Sequence, residues 1–144
     1  MTEESIWHAR PTPEEMNQFH EGCGVAHAGI EFIEVGDRHV RARMPVDKRT
    51  NQPFGLFAGG SAVLLLETLA SAAANYCVDL DTHICVGLEI NCNHIRAVTG
   101  GWVYGRAEAV HMGRTSMVWE LRNEDEQGRL VTMGRITIAV VQRR

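Results

Sequence analysis

One acidic side chain lies in the middle of the most apolar stretch of the sequence. Residues 53–76 read PFGLFAGGSAVLLLETLASAAANY, and Glu67 is the only charged residue among them. Burying an unpaired carboxylate costs free energy, so such a residue needs either a partner or a chemical role. In a chemical role it would be a nucleophile or a general base that activates water. A structural ion pair with Arg96 or Arg106, or a solvent-accessible position, is the alternative.

A glycine pair, Gly59-Gly60, immediately precedes the helix that we predict around Glu67. Glycine lets a ligand approach the backbone, and the free amides and positive end of the helix dipole would face that ligand. The pair indicates an oxyanion hole or an anion site, with a tight turn as the alternative. Glu67 follows Gly59 by eight residues, which is about 12 Å along a helix. One substrate carbonyl cannot easily contact both, so we expect Glu67 to come from a second copy, at a homodimer interface.

Other polar residues around this helix are weaker candidates. Gln52 could hydrogen-bond a carbonyl or position water, although a loop glutamine is more often solvated. Ser71 follows Glu67 by one helical turn and could orient it, although a helical serine commonly bonds its own backbone. Glu67, Ser71 and Asn75 recur every four residues and therefore line one stripe. The side chains that could meet phosphates are Arg96, Arg114, Arg143, Arg144, His94 and His111.

The pattern along the chain predicts the elements that position these residues. TPEEMNQFHEG reads as a short helix with a Thr12–Glu15 capping box, ending at Gly22 or Gly24. Two strands joined at Gly36-Asp37 follow, then a buried helix of about 16 residues from Ser61, then four strands. In the first of these four, alternation places Ile84, Val86, Leu88 and Ile90 on one face. We predict one domain over residues 1–144, with an N-terminal helical segment over 1–24. Its class is α+β: a long central helix wrapped by a curved antiparallel sheet.

Composition excludes several classes of protein. The net charge of −4 argues against a protein that coats nucleic acid. No run of residues is long and apolar enough to span a bilayer, and the N-terminus lacks an apolar signal core, so we expect a cytoplasmic protein. The four cysteines form no CxxC pair and the seven histidines are scattered. We therefore expect free, mostly buried thiols and no metal site.

Four segments together resemble a known family. MPVDKRTNQPFGLFAGGSAVLLLETLAS, VGLEINCNHIR, VHMGRTSMVWE and DEQGRLVTMGRIT resemble the hotdog-fold acyl-CoA thioesterases, from about Val25 to the C-terminus. Within them the chain is similar to the PaaI-like branch, which includes the 1,4-dihydroxy-2-naphthoyl-CoA thioesterase of menaquinone synthesis and the enterobactin proofreading thioesterase. The resemblance implies dimers, usually paired into tetramers, with active sites at the dimer interface. It implies no cofactor beyond the coenzyme A of the substrate.

The same resemblance implies roles for individual residues. Glu67 would be the catalytic carboxylate, and the Gly59 amide the oxyanion donor. Gln52 matches a glutamine near the thioester or the attacking water, and Ser71 matches a helical residue that supports it. The residues implied to contact substrate or to line the coenzyme A channel are Gly60, Asn93, His94, Arg96, Gly113 and Arg114.

Ala58 departs from the family pattern. Relatives of this branch usually have histidine there, close to the thioester carbonyl, and a methyl group cannot donate a hydrogen bond. Either this lineage lost the histidine or an engineered substitution slows turnover, and the otherwise intact motif favours engineering. We predict slow hydrolysis of an aromatic or medium-sized acyl group carried by coenzyme A or by an acyl-carrier protein. The alternative is a non-catalytic acyl-CoA binding or sensing module, which Ala58 favours and Glu67 argues against.

Overall fold

The computed structural model describes residues 4–144. Its elements follow the predicted order, with one additional short helix, α2. They are α1 (Pro13–Phe19), α2 (Gly24–His27), β1 (Glu31–Val35), β2 (His39–Pro45), α3 (Gly59–Tyr76), β3 (His83–His94), β4 (Trp102–Met112), β5 (Ser116–Glu124) and β6 (Leu130–Gln142). The Thr12–Glu15 capping box is present at the start of α1. This helix ends at Phe19, before the predicted Gly22 or Gly24.

The six strands form one antiparallel sheet in the order β1-β2-β4-β5-β6-β3. The sheet wraps α3, which contacts every strand from β2 to β6. Between them lie fully buried side chains such as Leu65, Leu69, Trp119 and Ile136. Each such side chain contributes about 1.5–3 kcal/mol when it leaves water. The predicted α+β architecture, one long helix packed on a curved antiparallel sheet, is confirmed.

The long helix begins earlier than predicted. It starts at Gly59 rather than at Ser61, with Ala58 as the N-cap residue in an extended conformation. The glycine pair therefore forms the first two residues of α3 and does not precede it. No helix within residues 4–144 is long and apolar enough to cross a bilayer.

One face of α3 is not covered within the single chain, although its composition predicted burial nearly all round. Leu64 is 40% exposed, Gly60 is also exposed, and Val63, Glu67 and Ser71 are only half-buried. Glu67 of this face contacts the edge strand β3 at Gly87, and the apolar side chains of Val63 and Leu64 stay partly in water. A second surface must cover them if they are to leave water.

The predicted face of β3 was wrong. The register with β6 shifts between Gly87 and Glu89, which makes a bulge. A bulge adds one residue and moves every later side chain to the opposite face. Cys85 and Ile90 consequently both point toward α3, opposite the inner side chains of β6. Val86 and Leu88 are 43% and 65% exposed on the edge strand.

The four cysteines are free, and only Cys23 is exposed. Burial raises the pKa of Cys77 to about 12 and that of Cys85 to about 11. Because the thiolate is the nucleophile, iodoacetamide at pH 8 should modify Cys23 well before these two. Mass spectrometry of partly labelled protein, with a denatured sample as control, measures the order. Labelling of Cys85 as fast as Cys23 would contradict this placement.

Candidate functional site

Glu67 lies against the edge strand. Ser71 Oγ donates a hydrogen bond of 3.0 Å to its Oε1. A Cβ atom placed on Gly87 would lie 2.6 Å from the same oxygen, so any larger residue on this part of β3 would displace the carboxylate. Burial raises the pKa of the Cys92 thiol, and the negative charges of Glu67 and Glu89 raise it further. Glu67 is therefore hydrogen-bonded within α3 and lies in contact with β3 at Gly87.

The structural ion pair that sequence reasoning kept as an alternative for Glu67 is not formed. Arg106 pairs with Glu108 at 3.0 Å, and Arg96 lines a cavity near the start of α3. Within the described part of the chain Glu67 has no salt-bridge partner. A half-buried carboxylate without a counter-charge is what a nucleophile or general base requires.

The predicted polar stripe on α3 is present. Asn75 Nδ2 donates to Cys85 O at 3.1 Å, and Cys85 N donates to Asn75 Oδ1 at 2.8 Å. These two bonds fasten the helix to β3 near Gly87. Asn75 thus fixes the strand against which Glu67 rests.

The first turn of α3 carries backbone amides without a side-chain cap. Ala58 N donates to Thr50 O at 2.9 Å, but Ala58 has no side chain to cap the helix. The first amides of a helix have no partner inside it, so those at Gly59 and Gly60 remain available. A Cβ atom on Gly59 would lie 3.0 Å from His94 Nε2, which places the imidazole directly beside this turn.

A cavity of about 350 Å³ opens at this turn and contains four of the predicted site residues. Gln52 enters it from a tight loop, where its Oε1 accepts hydrogen bonds from the backbone amides of Phe54 and Leu56. Because its oxygen is so occupied, Gln52 has its side-chain amide nitrogen left to donate to a ligand. The predicted residues that the cavity brings together are Gln52, Gly59, His94 and Arg96.

The other predicted site residues lie elsewhere in the single chain. Gly113 and Arg114 line a second cavity, of about 320 Å³, beside Cys77 and His83 at the far end of α3. Asn93 points to the outer face of the sheet, next to Asn91 and Arg135. Gly60 faces open space. One chain therefore divides the predicted site between the two ends of α3.

Two buried polar residues that sequence reasoning missed lie beneath the first turn of α3. Thr132 and Asn123 are fully buried, and Asn123 Nδ2 donates to Ala62 O at 3.2 Å. Thr132 Oγ1 and Asn123 Oδ1 have no partner within residues 4–144. The pattern of β5 contained a signal, since Asn123 continues the inward series of Met117, Trp119 and Leu121. A polar residue at an inward position of an apolar strand indicates a polar site.

No cluster of three or more histidine, cysteine or acidic side chains that could hold a metal ion occurs between residues 4 and 144. The candidate groups at the site are one carboxylate, free helix amides, one imidazole and one side-chain amide. Brought together on one substrate, these groups could polarise a carbonyl and direct a nucleophile toward it.

Comparisons with known proteins agree with this chemistry. The sequence profile of the Thioesterase superfamily matches residues 54–132. The 1,4-dihydroxy-2-naphthoyl-CoA hydrolase of Escherichia coli is 41% identical over 136 residues, covering 94% of this chain and 99% of that protein. The proofreading thioesterase EntH of Cronobacter turicensis is 44% identical over 136 residues, covering 94% and 98%.

The fold is shared with solved thioesterases. The crystal structure of a mutant thioesterase from Pseudomonas aeruginosa superposes with a TM-score of 0.94 at 41% identity, covering 96% of this chain and all of that one. The comparisons do not bear on whether Ala58 was introduced by engineering, which stays a prediction. The profile match and the extent of these similarities establish that the chain is a hotdog-fold member of the Thioesterase superfamily.

Proposed function

We propose that the protein hydrolyses an acyl-CoA thioester at two equivalent sites, each shared between two copies of the chain. The observation that carries the proposal is that Gly59 and Glu67, both on α3, contact different parts of the same edge strand. Gly59 contacts β3 at His94, whereas Glu67 contacts it at Gly87, seven residues earlier. In one chain these two groups face different parts of the strand and cannot act on one carbonyl.

Antiparallel pairing of two β3 strands would reunite the divided groups. β3 is an edge strand of 12 residues, and its exposed Val86 and Leu88 offer an apolar template for pairing. If the two-fold axis passes near Ile90 and Asn91, Gly87 of the partner subunit lies beside His94. Glu67 of the partner subunit then faces the Gly59 amide. We expect a homodimer on this basis, and a dimer of dimers remains the assembly that the family resemblance implies.

The same two-fold axis accounts for the second cavity. Gly113 and Arg114 lie at the His83 end of β3, and Arg96 lies just beyond its His94 end. Antiparallel pairing brings these ends toward each other across the interface. Arginines from both subunits would then line one channel, where they could bind the phosphates of coenzyme A.

The reaction follows from the groups so assembled. The Gly59 amide donates to the thioester carbonyl oxygen while Glu67 of the partner subunit removes a proton from water that attacks the carbonyl carbon. Collapse of the tetrahedral intermediate breaks the carbon–sulfur bond, and the coenzyme A thiolate takes up that proton. Alternatively, Glu67 itself attacks and forms an anhydride that water then hydrolyses. Single turnover in heavy-oxygen water separates the routes, because label appears first in the glutamate only on the covalent one.

Charged residues on the edge strand should abolish both assembly and activity. In Val86→Lys/Leu88→Lys, each subunit would bring two charges into the proposed interface, where strand pairing would remove water from them, and this disfavours pairing. We expect a monomer by light scattering and a loss of at least about 10²-fold in kcat/KM, since neither site is complete. Phe19→Lys, at a residue 77% exposed on α1, is the matched control. It should keep both the native assembly and the native kcat/KM. A fully active monomer would overturn the shared site.

Restoring a donor at position 58 tests the chemistry directly. We expect Ala58→His to raise kcat, with a gain of up to about 10²–10³-fold, the size of one oxyanion-hole contact. A screen of aromatic and aliphatic acyl-CoA substrates with both proteins measures this and identifies the preferred acyl group. An unchanged rate across the whole screen would show that position 58 has no catalytic part here.

A non-catalytic acyl-CoA binding module is the second candidate function. The observation that favours it is Ala58 at the N-cap of α3, whose side chain makes no hydrogen bond. Calorimetry with a non-hydrolysable acyl-CoA thioether decides between the two. Tight binding without hydrolysis of any substrate in the screen would support the binding module. Hydrolysis that depends on Glu67 would exclude it.

A further inference from the structure

We propose that His94 donates a hydrogen bond from Nε2 to the same thioester carbonyl oxygen that the Gly59 amide contacts. This inference rests on the proposed function and assigns to His94 a part in catalysis rather than only in binding coenzyme A. His94 would supply the side-chain donor that Ala58 lacks. Three observations support this role for His94.

The first observation is the position of the imidazole. His94 Nε2 lies 3.0 Å from the site that a Cβ atom on Gly59 would occupy, and its ring atoms Cε1 and Cδ2 lie 3.3 and 3.5 Å from it. The ring therefore borders the first turn of α3 on the side of the cavity that also contains Gln52. An oxygen atom that accepts from the Gly59 amide would lie within hydrogen-bonding reach of Nε2, because both donors border the same turn.

The second observation is the buried threonine opposite His94. The sheet register pairs His94 with Thr132 and Thr132 with Asn123, so the three side chains form a polar row on the inner face. Thr132 is fully buried and lines the cavity, yet its hydroxyl has no partner in the described structure. Buried hydroxyl groups are ordinarily satisfied. This wall of the cavity is therefore built to receive a polar group.

The third observation is the empty N-cap. Ala58 offers no side-chain hydrogen bond to the helix end or to a ligand, so the Gly59 amide would otherwise act with backbone groups alone. A neutral imidazole donates one N–H. That donor strengthens as negative charge develops on the carbonyl oxygen, and His94 gains or loses no proton during the reaction. The hydrogen bond stabilises the transition state more than the bound substrate, so its loss should lower kcat.

Two substitutions separate donation from simple packing. His94→Leu removes the donor, whereas His94→Gln places an amide nitrogen close to the position of Nε2. With benzoyl-CoA as substrate we expect His94→Leu to lower kcat by about 10²-fold with little change in KM. We expect His94→Gln to recover at least a tenth of native kcat. His27→Leu, at an exposed histidine of α2, is the matched control and should retain native kinetics.

A truncated substrate separates catalysis from coenzyme A binding. S-benzoyl-N-acetylcysteamine carries the thioester without the nucleotide, and His94→Leu should slow its hydrolysis by the same factor. The gain from Ala58→His should also be larger in the His94→Leu protein than in the native one, because the two donors substitute for each other. Thermal melting of each variant checks that the fold is retained.

Two results would overturn the role of His94. A raised KM for benzoyl-CoA with unchanged hydrolysis of the truncated thioester would show that His94 only binds coenzyme A. An unchanged kcat with both substrates would show that it does neither. In both cases, hydrolysis by the unsubstituted protein that is lost in Glu67→Gln would leave the proposed function intact. If the unsubstituted protein does not hydrolyse these thioesters, the proposed function itself is rejected.

Discussion

Replacing Glu67 with glutamine should lower kcat for acyl-CoA hydrolysis by about 10²–10⁴-fold, the usual contribution of a general base. Glutamine keeps the size of the side chain and can still accept the hydrogen bond from Ser71. The contact with Gly87 is also preserved, so the fold and the dimer should persist. Because the carboxylate acts mainly in the transition state, KM should change little. Steady-state kinetics of the purified Glu67→Gln protein measure both parameters.

The matched control for this prediction is Glu120→Gln. Glu120 is exposed on the outer face of β5, opposite Arg135, where a change from carboxylate to amide removes the same charge. Its kinetics should remain native. A Glu67→Gln protein that keeps a third or more of native kcat would show that the carboxylate is not the catalytic group.

Removal of the Gly59 amide proton should lower kcat by about 10²–10³-fold, since a donor of the oxyanion hole is lost. Gly59→Pro achieves this with little cost to the fold. Gly59 is the first residue of α3, where proline is well tolerated because its N–H has no helical partner. Ala58 already has the extended backbone, with ψ of 139°, that a residue before proline prefers.

Gly59→Ala is the control that isolates the amide. Both substitutions add a Cβ atom 3.0 Å from His94 Nε2, so both disturb the imidazole to a similar extent. Only the proline variant loses the N–H. We expect the kcat of Gly59→Pro to be at least tenfold below that of Gly59→Ala. Equal rates in the two variants would assign oxyanion stabilisation to another group.

Local signals in the sequence predicted most of the fold. The capping box at Thr12 and Glu15, the turn at Gly36-Asp37 and the mostly apolar run after Gly60 each depend on neighbouring residues alone. The bulge after Gly87 appears only in the pairing of β3 with β6, a strand that is distant in the sequence. Alternation therefore placed four residues of β3 on one face, whereas the bulge puts Ile90 on the face opposite the other three.

The candidate site was predictable in its residue types and less so in its arrangement. The isolated Glu67 and the glycine pair were recognised from burial cost and helix geometry, and their separation along α3 indicated two chains. Thr132 and Asn123 were missed because their significance depends on the register of three strands. The close approach of His94 to Gly59 joins residues that are 35 positions apart, and no local pattern encodes such a contact.

A mixed dimer tests the shared site most directly. Chains carrying Glu67→Gln and Gly59→Pro, each with a different affinity tag, are co-expressed and the mixed species is isolated by both tags. If each site combines Gly59 of one subunit with Glu67 of the other, one of the two sites is intact. The mixed dimer should then have about half of the native activity although both parents are inactive. A mixed dimer as inactive as its parents would show that each site lies within a single chain.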